Sequence, residues 1–449
     1  MLKLAGIAFL ATILGGKLSN SSRPPSTSGH PRTPIHALSP AAGPAARTAI
    51  KPGLVKPPTL TAPGLETNLD FRKTPRVGET ESSPRLPSLD GWRALSILLV
   101  IGNHAHFANE PPPWLKKFTA IHIDGHLGVQ CFFSISGFLI TWLLLNEWQK
   151  TGAVSLKNFY IRRTLRIVPV YMVFLLTVYL LGPDSPWKQT HESWLGCLTF
   201  TRNLCSETFR NMATGHLWSL SLEEQFYCLW PALFLLTLKT KQIKLVAGIL
   251  AIATLFATVV RQLMYFQTIP PQYMERCSHG MLWVINFLAT DDGLALGALS
   301  AILYTFKKEQ IKALLTRHTK TAALIGITAV LLPELCPVND AIKPLIQIVG
   351  TNLLLLQSLF LADSKIYKFL NWGPILQIGV LSYSIYIWQQ VIWFFGREAQ
   401  NPAWLVVRFA AIFLVAAASY HLMEKPLINL RQVFRDPQPV LKRATHQTA

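Results

Sequence analysis

Acidic residues are scarce in this 449-residue sequence: 23 Asp and Glu stand against 42 Lys and Arg, and charged residues of all types make up 14%. Soluble domains carry roughly a quarter, so a water-soluble fold is excluded for most of the chain. Cysteine is sparse as well. The six cysteines are scattered, with no CxxC and no zinc spacing, which argues against a disulfide scaffold or a zinc ribbon. No P-loop, dinucleotide fingerprint or HExxH is present. His104, His106, His122 and His126 fit no standard metal-ligand spacing either, so no metal is expected.

What the chain has in abundance is apolar sequence. Half of it is hydrophobic, in repeated segments near the roughly 20 residues that cross a bilayer. Such segments satisfy their backbone groups internally as helices. The expected fold is therefore all-α, a polytopic membrane helix bundle of about ten transmembrane helices. The spans are placed near 93–108, 126–146, 165–182, 217–237, 244–260, 282–304, 321–333, 345–362, 375–396 and 403–423.

The net charge of +19 could suggest a nucleic-acid partner, but the distribution of charge points to lipid. One set of loops, from Lys150–Arg166 through Lys365 and Lys368, carries fifteen Lys and Arg; the alternate set, longer overall, carries nine. The positive-inside rule then makes the N- and C-termini of the bundle cytoplasmic and predicts a multi-pass protein of the inner (cytoplasmic) membrane. Cys197 and Cys205 fall in an outer loop, where a bridge between them and two free thiols are both allowed.

Four segments follow. Residues 1–16 are a short apolar run of uncertain role. Residues 17–88 hold 13 of the 30 prolines and no Trp, the composition of a disordered linker. Residues 89–430 form the transmembrane domain, and 431–449 a basic cytoplasmic tail.

Several ionisable groups fall inside or beside apolar runs, where they are costly and mark functional sites. LDGWRALSILLVIGNHAH, residues 89–106, opens with Asp90 and Arg93 and reaches His104 eleven residues later. On a helix that spacing puts Arg93 and His104 on one face, about 16 Å apart. Arg163 and Arg166 share a face at the entrance of the third span; topogenic charge explains them, and so does phosphate binding. Trp218, Ser219, Ser221, Glu223 and Glu224 lie where the fourth span enters from outside, and the carboxylates are expected to pair with His104 or an Arg. Asp291 and Asp292 precede GLALG, whose Gly293 and Gly297 read as a close-packing pair. The hydroxyls and amides of LSYSIYIWQQ, residues 381–390, either line a cavity or bridge helices.

LDGWRALSILLVIGNHA, GVQCFFSISGFLITWLLLNE, FYIRRTLRIVPVY, HLWSLSLEEQFYCLWP, DDGLALGALSA, LSYSIYIW and SYHLMEKP occur in the order found in the acyltransferase-3 family, and residues 88–430 resemble it throughout. These are integral-membrane O-acyltransferases that acetylate lipopolysaccharide, peptidoglycan and other glycans. The resemblance implies a membrane O-acetyltransferase with a cytoplasmic acetyl-CoA donor as co-substrate, no bound cofactor and a glycan hydroxyl as acceptor. It leaves the acceptor glycan, the acyl chain and the oligomeric state open. It implies His104 as catalytic base or acyl carrier, with Glu223 beside it. Arg93, Arg163 and Arg166 would bind the donor, and Asp90, Trp218, Ser219, Ser221 and Asp292 would support the site. Two positions depart from the family: Thr290 stands where an Arg is frequent, and Gln389 where a His is frequent. The rival readings are a glycan or lipid-linked-substrate flippase, which would use the same buried charges as a relay, and a family member that binds without catalysing.

Overall fold

In the computed structural model the described residues are 86, 88–108, 125–182, 188–205, 213–265, 292–362, 364–394 and 403–430. The segments predicted for 1–16, for 17–88 apart from Leu86 and Ser88, and for 431–449 lie outside them. So do His122, Cys277, Thr290, Asp291 and the side chain of His106.

Every regular element among the described residues is helical. In chain order they are α1 (Leu89–Ala108), α2 (Gly125–Thr151), α3 (Leu156–Leu180), α4 (His191–Leu198), a 3-10 turn (Arg202–Leu204), α5 (Leu217–Lys239), α6 (Ile243–Tyr265), α7 (Asp292–Phe306), α8 (Lys308–Arg317), α9 (Thr319–Leu335), α10 (Lys343–Phe360), α11 (Lys365–Leu370), α12 (Gly373–Phe394) and α13 (Ala403–Ser419). A π-helical turn (Tyr420–Glu424) leads from α13 into α14 (Lys425–Leu430). A helix covers most of each predicted span.

Five stretches are long and apolar enough to cross a membrane: Gly125–Thr151, Leu156–Leu180, Ile243–Leu263, Gly373–Phe394 and Trp404–Leu430. This makes the chain a multi-pass membrane protein. The other helices over predicted spans are short or polar for physical reasons. α7 has 15 residues and α9 has 17. α10 is interrupted by Gln347, Asn352 and Gln357, all buried, and Asn352 accepts from Ser300 Oγ at 3.0 Å and donates to Ser134 Oγ at 3.1 Å. Asn352 thus joins α10 to α7 and α2, while Gln347 donates to Glu334 Oε1 and Gln357 to Thr319 O on α9, so the polar groups are satisfied between helices.

α2 is the central helix; most of its apolar window is buried against neighbours. α6 and the α13–α14 stretch are mostly exposed, with Ile252, Val406 and Leu414 each more than 60% accessible, as lipid-facing helices require. Gly297 explains the close α2–α7 approach: a Cβ there would overlap the Ser134 carbonyl, and one at Gly137 the Leu294 carbonyl. The GLALG stretch is thus a packing element.

α3 starts at Leu156, nine residues before the span expected from hydropathy. Ser155 caps it, its hydroxyl accepting from Asn158 N. Arg163 and Arg166 therefore lie within a membrane-length helix and not at its mouth. Of the charges that hide the start of this span from hydropathy, Arg163 and Arg166 face the protein interior and Lys157 is exposed.

Candidate active site

α1, α2, α3, α5 and α12 line a partly open cavity of about 80 Å³. α1 contributes Arg93, and α3 contributes Arg163 and Arg166. Ser136 comes from α2, Ser219 and Glu223 from α5, and Tyr383 and Tyr386 from α12. Three guanidinium groups and one carboxylate thus face the same space. Neighbours fix Arg93, Arg163 and Glu223. Arg93 Nη1 meets Asp90 Oδ1 at 3.3 Å, one turn back on α1. Arg163 lies over the Tyr227 ring at 5.0 Å and near Phe159 at 5.9 Å, a cation–π seating suited to a guanidinium away from water. Glu223 Oε1 accepts from Ser136 Oγ at 2.7 Å.

Of the residues singled out from sequence, Arg93, Arg163, Arg166, Ser219 and Glu223 line this cavity. Asp90 reaches it through Arg93. Four others are placed elsewhere. Trp218 stacks on His126, ring centroids 6.4 Å apart, and meets Phe133 edge-on. Ser221 Oγ donates to Leu217 O at 2.9 Å and accepts from Arg202 N at 3.2 Å, so it ties α5 to the 3-10 turn. Asp292 Oδ2 pairs with Arg261 Nη2 on α6 at 2.5 Å. His104 is not among the cavity-lining residues.

The carboxylate expected beside His104 is not its partner. His104 Nδ1–H donates to Gln389 Oε1 at 2.9 Å, and Gln390 Nε2–H donates to His104 Nε2 at 3.2 Å. Both glutamines are on α12, one turn beyond Tyr386. The Tyr386 hydroxyl is hydrogen-bonded to Ser219 Oγ and donates to His216 O at 2.5 Å. Along α12, this Tyr386–Ser219 pair separates the arginine-lined cavity from the imidazole. The amides and hydroxyls of residues 381–390 both line the cavity and bridge helices: Ser382, Tyr383 and Tyr386 face it, and Gln389 and Gln390 reach α1. Ser136, which donates to Glu223, carries no signal in its apolar stretch until the helices are assembled.

Outside the spans, Cys197 and Cys205 are free thiols. Cys205 Sγ lies 3.5 Å from Glu192 O. Burial pushes the Cys197 thiol up to about 11 and raises that of Cys205 above its ordinary value.

An acyltransferase-domain family model matches residues 86–423, three quarters of the sequence and every helix named above except α14 and the tip of the π-helical turn. The chain belongs to the acyltransferase-3 family. Among its relatives, the peptidoglycan O-acetyltransferase OatA of Listeria monocytogenes is 27% identical over 386 residues, covering 78% of this chain and 58% of the relative. O-acetyltransferase OatA of Staphylococcus aureus is 26% identical over 397 residues, covering 80% and 60%. The chain thus spans about three fifths of the length of the curated relatives it matches. No solved structure matches. Within this acyltransferase-3 domain, Arg93 from α1, Arg163 and Arg166 from α3, and Ser219 and Glu223 from α5 converge on one cavity.

Proposed function

We propose that this chain is an O-acetyltransferase of the inner membrane that moves an acetyl group from cytoplasmic acetyl-CoA to a hydroxyl of a cell-envelope glycan, with peptidoglycan as the first acceptor to test. The observation that carries this reading is the cavity where Arg93, Arg163 and Arg166 face Glu223. Three guanidiniums with one carboxylate leave an excess of positive charge suited to the phosphates of CoA.

The basic excess in alternate loops supports ten spans with both ends of the bundle in the cytoplasm. In that orientation Arg93, Arg163 and Arg166 lie on the cytoplasmic side of the bundle, and His104 lies farther out on α1. CoA would seat its phosphates on the arginines and extend the pantetheine arm past Ser219 and Tyr386, which must part to let the thioester reach the imidazole. Neutral His104 then removes the proton from an acceptor hydroxyl that attacks the thioester carbonyl, a general-base step. The relatives named O-acetyltransferases and peptidoglycan O-acetyltransferase support the reaction class and the acceptor.

Binding of acetyl-CoA to the purified full chain, followed by calorimetry in detergent, tests the donor half. Saturable binding weakened by Arg163→Ala and Arg166→Ala supports it. A flippase would neither bind acetyl-CoA nor release free CoA in the presence of acceptor.

A further inference from the structure

The two glutamines on His104 are placed to do more than hold it. His104 Nδ1 meets an amide oxygen, Gln389 Oε1, at 2.9 Å. His104 Nε2 meets an amide nitrogen, Gln390 Nε2, at 3.2 Å. An amide oxygen can only accept and an amide NH2 can only donate. Together they select one neutral tautomer, with the proton on Nδ1 and the lone pair on Nε2. Gln389 is fully buried and Gln390 is 6% exposed, so neither amide is a mobile surface group. Gln389 Nε2 has no hydrogen-bond partner among the described residues, so its one bond, to the imidazole, orients the side chain.

We infer that Gln389 is the positioning residue that fixes the basic nitrogen of His104 and that Gln390 is a catalytic residue, capping that nitrogen at rest and donating to the thioester oxyanion during transfer. This rests on the O-acetyltransferase reading of the same site. In the reaction the acceptor hydroxyl displaces the Gln390 amide from Nε2. Nε2 takes the hydroxyl proton as the acceptor oxygen bonds to the thioester carbon. The carbonyl electron pair moves onto its oxygen, where the released Gln390 N–H donates. Collapse of the tetrahedral adduct re-forms the carbonyl and breaks the C–S bond. The imidazolium returns its proton to the thiolate, giving O-acetylated glycan and CoA thiol. A donor held within hydrogen-bond reach of the base nitrogen lies beside the hydroxyl that the base activates, from where its N–H can turn to the thioester oxygen.

The test has an activity-independent arm and a kinetic arm. Full-length protein labelled with 15N-histidine is studied in bilayers by solid-state NMR, and the His104 signal is taken as the difference from His104→Asn. The wild type should show a protonated Nδ1 and an unprotonated Nε2, and Gln389→Leu should lose that preference. A wild-type ring protonated on Nε2 overturns the assignment whether or not the chain acetylates anything. In acetyl-transfer assays, Gln389→Glu should move the acid limb of the pH–rate profile to higher pH, because a carboxylate at Nδ1 favours the imidazolium. Gln390→Leu should lower kcat by about 10²–10³-fold with KM for acetyl-CoA unchanged. A Gln390→Leu protein of wild-type thermal midpoint whose kcat stays within twofold overturns its catalytic role, and an unmoved acid limb in Gln389→Glu overturns the positioning role. The correct tautomer in a wild type that transfers no acetyl group would refute the O-acetyltransferase reading and the catalytic role of Gln390 with it, while sustaining the positioning by Gln389.

Discussion

Arg261 Nη2 and Asp292 Oδ2 meet at 2.5 Å, with the aspartate side chain wholly inaccessible. Asp292 opens α7, and its Oδ1 also accepts from Gly293 N at 3.0 Å. Arg261 lies on α6, where its Nε donates to Ala341 O at 3.2 Å. The pair therefore ties α6 and α7 to the segment before α10. It also bears on the departure at Thr290, where an arginine is frequent in the family: here a cation for the aspartate comes from a different helix. Breaking a buried pair by removing one partner costs about 3–5 kcal/mol, whereas replacing both can be near neutral. Arg261→Met should lower the thermal midpoint in detergent sharply, and Arg261→Met with Asp292→Leu should recover most of the loss. Equal losses in the single and double variants would show that the pair is not the stabilising contact.

The contrast between two glycines tests the packing of α2 on α7. A Cβ at Gly297 would overlap backbone of α2, whereas one at Gly248 on lipid-facing α6 meets nothing within 4 Å. Gly297→Ala should therefore destabilise the protein. Gly248→Ala should be neutral or stabilising by about 0.5–1 kcal/mol, the helix-interior preference for Ala. Thermal midpoints in one detergent give the comparison directly.

Arg163 is seated between two aromatic rings and aimed into the cavity. Arg163→Lys keeps the charge but loses the planar stacking and the fork. We expect KM for acetyl-CoA to rise about 10- to 100-fold, the equivalent of a charged hydrogen bond of 1.5–3 kcal/mol, with a smaller change in kcat. An unchanged KM would remove Arg163 from donor binding.

The Cys197 thiol is fully buried and raised to about 11. Thiolate is the reactive form, and a raised value leaves little of it near neutrality. At pH 7.5 Cys197 should resist maleimide in the folded protein, with reactivity rising as the pH climbs toward the raised value. Mass spectrometry after denaturing and relabelling reads this out, and it would also reveal a Cys197–Cys205 bridge, which two free thiols do not allow.

Much of this was legible in the sequence because membrane helices announce themselves by apolar length and buried charges by their cost. The helices over the ten predicted spans, the close packing at Gly297 and the convergence of Arg93, Arg163, Arg166, Ser219 and Glu223 on one region could all be anticipated. The start of α3 could not, because hydropathy treats its arginines as facing water and the structure turns them inward. The partner of His104 is hidden for a related reason: of the two pairings open to Glu223, His104 or an Arg, the structure has it facing the arginines. A carboxylate is the conspicuous candidate in an apolar sequence, and Glu223 sits on the right helix to suggest it. Which turn of α5 or α12 lies level with His104 depends on helix register, which one sequence does not encode locally. Gln389 and Gln390 won that position. Trp218, Ser221 and Asp292 stand out in the sequence, but in the structure they serve ring packing, a link to Arg202 and an ion pair outside the cavity.

The central claim is that His104 serves as the base for acetyl transfer. The most direct test follows labelled acetyl-CoA into envelope glycan in a strain lacking this protein, complemented with wild type or with His104→Ala at equal membrane levels. Labelled glycan is expected with the wild type and a rate about 10²- to 10⁴-fold lower with His104→Ala, the size of a general-base contribution. Equal labelling by the two proteins would contradict it.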